Sequence, residues 1–130
     1  MDEKLSLDRF GRRFTFGLIS SISFLVVYTV IGLLDAWPSG VTYEEGVYGW
    51  CESFSSGLLL EPVNTLTNLA FVVVGLIILH RTDQQKNSDM NGFTRGGIIP
   101  VLYAGAVISI GLGSFAMHGT RTYFGSFLDW

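Results

Sequence analysis

GGIIPVLYAGAVISIGLGSFAM, Gly96 to Met117, contains no charged residue. An α-helix rises 1.5 Å per residue, and ~20 residues carry it across the ~30 Å hydrocarbon core of a bilayer. Two more blocks read the same way, Phe14 to Leu34 and Pro62 to Leu79. A water-soluble helix would interleave charge at helical spacing, and these blocks do not. Three such segments in 130 residues leave no polar shell to cover them. The chain therefore reads as an all-α, multi-pass integral membrane protein. Its helices are expected at about 14–34, 62–80 and 96–117, with the start of a fourth after them.

The charges that remain lie between the blocks. Lys4, Arg9, Arg12 and Arg13 precede the first, and Arg81, Lys86 and Arg95 separate the second from the third. The connection from Asp35 to Glu61 has no Lys or Arg and carries Asp35, Glu44, Glu45, Glu52 and Glu61. By the positive-inside rule, residues 1–13 form a cytoplasmic amino terminus and the acidic connection lies outside. Arg121 dissents from that count. The first apolar run exceeds a signal-peptide core of ~7–15 residues, and no small-x-small cleavage site follows it, so a retained anchor is expected. No basic patch with interleaved aromatics points to nucleic acid. The lone Cys51 forms no internal disulfide.

This topology collects Glu52, Glu61, Asn64, Ser114 and His118 near one membrane face. Asp129 joins them if residues 119–128 stay at that surface. Polar groups at membrane depth mark functional sites by default. Ser114 and His118, four apart, share one side of a helix. An imidazole there can bind a metal through one nitrogen while an acceptor orients the other; a hydrated interfacial histidine is the plain alternative. Glu52 and Glu61 offer oxygens to a hard cation or simply face water. Asn64 and Asn68 should hydrogen-bond to other helices, and Gly105, Gly111 and Gly113 should let helices approach closely. Pro62 suits the first position of a helix, with Glu61 at the positive end of its dipole.

Trp50-Cys51-Glu52, then Glu61-Pro62-Val63-Asn64-Thr65-Leu66-Thr67-Asn68, then Gly111-Leu112-Gly113-Ser114 with His118 and Asp129, resembles the alkaline ceramidase family. That family belongs to a larger group of seven-helix membrane hydrolases. The Glu-Pro-x-Asn-x-x-x-Asn form is most similar to its bacterial ceramidase-like branch. The likeness runs from about residue 50 onward, and the helix at 14–34 precedes the family's usual first helix.

The resemblance implies a zinc-dependent amidase acting on ceramide-like membrane lipids, releasing a sphingoid base and a fatty acid. His118 would be one of three zinc ligands, Asp129 would help deprotonate the zinc-bound water, and Ser114 would stabilise the oxyanion. Asn64 and Asn68 would support the site. In eukaryotic members the acidic loop binds calcium, and Glu52, Glu61 and the Trp50 backbone match three of those ligands. Gly49 and Phe54 depart from that calcium pattern. The other zinc ligands of the family form a His-x-x-x-His pair on its last helix, which this sequence lacks. Residues 14–130 are thus expected to be an incomplete ceramidase-like domain, a fragment inactive without the carboxy-terminal helices. A non-enzymatic receptor or lipid-binding protein of the same architecture is the first alternative. A small subunit that packs on partner helices through its glycines is the second.

Overall fold

The structure is a computed structural model that describes residues 11–37, 52, 55, 57–84 and 97–129. The chain is an all-α membrane protein. Helix α1 spans Arg12–Leu33, α2 Pro62–Thr67, α3 Leu69–Gln84, α4 Ile98–Thr120 and α5 Tyr123–Asp129. Three stretches are long and apolar enough to cross a membrane: α1, α2 together with α3, and α4. Their outer faces carry exposed side chains such as Phe16, Val27, Val74, Leu102 and Ile110. A lipid-facing surface requires such residues, and water would penalise so many of them.

The expected helix limits shift where tertiary contacts intervene. α1 begins two residues early, at Arg12. Its N-cap, Gly11, has no capping side chain. The Asp83 carboxylate of α3 takes that role, accepting from the Arg13 and Phe14 amides at 2.9 and 3.0 Å. A carboxylate there also opposes the positive end of the helix dipole. α4 runs three residues past Met117 and carries His118 in its last turn. Arg121, left-handed at φ 52°, ends it and donates its N–H to the Met117 carbonyl.

The middle span is interrupted between Thr67 and Leu69. Thr67 Oγ1 bonds to the Val63 and Asn64 carbonyls, and Asn68 Nδ2 bonds to the Asn64 carbonyl at 2.8 Å. Side chains that bond back to the preceding turn compete with the helical ladder and bend it. Asn68 was expected to bond across to another helix; its amide instead turns back on its own span. Its carbonyl oxygen lies against Gly111 of α4.

α3 and α4 form the closest helix pair. A Cβ on Gly75 would approach the Ala104 carbonyl to 2.9 Å, and one on Gly111 the Asn68 carbonyl to 2.9 Å. Gly113 lies against the Leu128 carbonyl of α5. Backbones come this near only where side chains are absent. Gly105, expected to pack with them, instead faces open space.

Antiparallel spans put the α1 start, the α3 end and the α4 start at one end of the bundle. There Leu79, Ala104 and Ile108 form a core with Phe14 and Leu76 packed against it. At the opposite end Tyr28, Phe115 and Ala116 form a second core. The Tyr28 ring lies 4.9 Å from Trp37 in a tilted contact and 5.0 Å from Phe115 edge-to-face, and its hydroxyl donates to the Leu58 carbonyl. This second core is the floor of the polar cluster described next.

Candidate functional site

A helix leaves its last carbonyls without intrahelical donors. In α4 two of these accept from the chain leading into α2. The Leu60 amide donates to the Gly119 carbonyl at 2.9 Å, and the Glu61 amide to the His118 carbonyl at 3.2 Å. Gly119 permits the docking, because a Cβ there would strike the Tyr28 hydroxyl. The start of α2 is thereby held against the end of α4.

Glu61, the N-cap of α2, does not cap its own helix. Glu52 does so instead, with one oxygen 2.8 Å from the Val63 amide and the other 2.7 Å from the Asn64 amide. Glu61 is left to turn inward, where it is fully buried. Its Oε2 meets His118 Nδ1 at 2.5 Å and accepts from Asn64 Nδ2 at 3.2 Å. Its Oε1 lies 3.3 Å from Arg121 Nε. His118 and Arg121 are buried as well. A carboxylate removed from water is tolerable only when paired and hydrogen-bonded, and Glu61 has Arg121 as its ion-pair partner and His118 and Asn64 as hydrogen-bond partners.

A shell of hydroxyls surrounds the cluster. Thr65, fully buried, donates to the Glu61 carbonyl at 2.6 Å. Thr120 donates to the Ala116 carbonyl and meets the Thr122 hydroxyl at 2.9 Å. Thr122 caps α5, accepting from the Gly125 amide at 3.0 Å. The left-handed Arg121 and this cap together reverse the chain at once. α5 therefore runs back along α4 instead of lying at the surface.

The reversal decides where Asp129 goes. Its Cα lies beside Gly113, five residues below His118 and so about 7.5 Å down the α4 axis. Asp129 is exposed there and does not join the Glu61–His118–Arg121 cluster. Ser114, half-buried one turn below His118, stands at the same level as Asp129 and outside the cluster's hydrogen bonds. Both lie below the charged cluster along α4.

Asn64 and Glu61 touch directly, whereas Glu52 and Glu61 serve different partners. Glu52 holds backbone amides and Glu61 holds the His118, Asn64 and Arg121 side chains, so calcium here would compete with those bonds. Trp50 lies outside the described residues. Among the described residues no three His, Cys, Asp or Glu side chains converge on one point.

The chemical consequence concerns His118. A carboxylate on Nδ1 requires that nitrogen to carry a proton, so in the neutral ring the lone pair resides on Nε2. This is the arrangement by which carboxylates orient metal-binding histidines. Arg121, Thr65, Thr120 and Thr122 were not foreseen as members. The signal for Thr120, Arg121 and Thr122 was a charged residue flanked by threonines just after His118, where an ordinary surface turn reads identically. No protein-family model, curated protein or solved structure matches this chain.

Proposed function

We propose that this chain carries one half of the site of a zinc-dependent membrane amidase that hydrolyses ceramide-like sphingolipids. The observation that supports it is the buried Glu61 carboxylate on His118 Nδ1 at 2.5 Å. That bond holds the proton on Nδ1 and directs Nε2 as the ligand nitrogen. Asn64 and Arg121 hold the other faces of the carboxylate, so the imidazole has little freedom to turn.

The donor set fits one corner of a zinc site. A catalytic zinc needs three protein ligands, and the only other histidine, His80, lies at the opposite end of the bundle. The reading therefore requires the His-x-x-x-His pair that the resemblance implies. When bound, zinc would lower the pKa of a water and polarise the amide carbonyl. Ser114 would donate a hydrogen bond to the oxygen of the attacked carbonyl. Asp129, at the same level, would accept the proton of the attacking water. A site at membrane depth admits a lipid laterally. Arg12, Arg13 and Arg81 lie at the other end of the bundle, which supports a cytoplasmic amino terminus and an outward-facing site.

A second reading follows from Arg121. By neutralising Glu61 it makes the cluster self-sufficient, as a structural clamp in a non-enzymatic lipid-binding protein would be. Zinc content and cleavage of a fluorescent ceramide separate the two, measured on protein expressed from the complete reading frame. The amidase reading expects bound zinc and turnover, both lost in His118→Ala. In Glu61→Gln zinc affinity should fall about 10–100-fold. Wild-type protein with neither zinc nor turnover would leave the clamp.

A further inference from the structure

Far from the Glu61 cluster, a groove of about 720 Å³ opens between α1 and α4, with α3 as its floor. We propose that it holds one anionic phospholipid, with the headgroup at Arg12 and an acyl chain along the groove. At the mouth the Asp83 carboxylate is engaged by the Arg13 and Phe14 amides and lies 3.9 Å from Arg13 Nε. Among the described residues Arg12 has no acidic partner, and it is exposed at the same rim. The mouth is thus cationic. Basic pockets between membrane helices are suited to phosphate headgroups.

Below the mouth the walls are apolar or small. Phe16 and Leu112 flank an opening kept clear by Ser20, Gly105 and Ser109. A Cβ on Gly105 would meet nothing within 4 Å. From Val101 to Leu112 the groove follows twelve residues of α4, about 17 Å from first to last at the helical rise. One leaflet of a ~30 Å hydrocarbon core is about 15 Å deep. The groove therefore has the length of a single acyl chain and begins at the headgroup end.

The cationic rim favours an anionic headgroup over a helix as the occupant.

The test is reconstitution of the full chain in vesicles of mixed phosphatidylglycerol and phosphatidylcholine, followed by native mass spectrometry of the retained lipid. Wild type should keep one phosphatidylglycerol with at least tenfold preference over phosphatidylcholine. Arg12→Gln should reduce that preference about fivefold, as one basic residue near an anionic surface is worth ~1 kcal/mol. Gly105→Leu, which fills the groove without meeting backbone, should abolish retention while helix content stays unchanged. Ser109→Leu replaces it if that variant does not fold. Equal retention of the two lipids, or retention unaffected by both substitutions, would overturn the proposal. So would a wild-type dimer that Gly105→Leu dissociates, since the groove would then be a protein interface.

Discussion

Replacing Glu61 by Gln keeps the shape of the side chain and most of its hydrogen bonds but removes its charge. Arg121 is then left buried 3.3 Å from a neutral amide, and His118 loses its carboxylate. Glu61 is fully buried and Arg121 only 2 % exposed, so solvent and salt screen the loss little. Breaking one side of a buried ion pair typically costs 3–5 kcal/mol, because the remaining charge is stranded. For a chain of this length that corresponds to a fall in Tm of about 10–20 °C. Thermal unfolding in detergent, followed by circular dichroism, measures it. The decisive control is the double variant Glu61→Gln/Arg121→Met. Removing both charges should recover at least half of the loss, about 1.5–2.5 kcal/mol, and the single Arg121→Met variant completes the double-mutant cycle that gives the coupling energy. A single-variant cost below about 1 kcal/mol, or a double variant no more stable than the single, would refute the reasoning that the cluster is a tight buried ion network.

Three further outcomes follow from the packing. Glu52→Gln should weaken the α2 cap by about 1 kcal/mol, and hydrogen exchange should accelerate at the Val63 and Asn64 amides before any other part of the bundle. Asp83→Ala should act likewise on α1, with exchange rising at Arg13 and Phe14 and little change at the Glu61 end. Gly113→Ala must push α5 off α4, since its methyl meets the Leu128 carbonyl, and should cost about 1–3 kcal/mol; Gly105→Ala, facing open space, should be neutral or stabilise by up to about 1 kcal/mol through helix propensity. Equal effects of the two alanines in a thermal scan would show that the α4–α5 approach is not as close as described.

The two caps also show why helix limits were legible only to within a few residues. The apolar blocks mark where a helix can lie in lipid. The first and last turns depend on what satisfies their free amides and carbonyls. At α1 and α2 those groups find carboxylates 70 and 11 residues away in the chain. Neither pairing leaves a local signature. The same holds for Asn68, whose spacing from Asn64 fits an interhelical bond and a local one equally well.

What the sequence alone determines is the class of molecule, because burying uncharged blocks of bilayer length in lipid depends on composition and not on contacts. It also determines that Glu61 and His118 share one end, since antiparallel spans leave no other arrangement. The tertiary structure decides which polar groups touch. It turns Glu61 from its own helix toward His118, brings in Arg121, and sends α5 back along α4 so that Asp129 stands about five residues below. These choices rest on a left-handed residue, a threonine cap and a glycine contact. Each is worth about a kilocalorie or two, and none produces a periodic pattern along the chain.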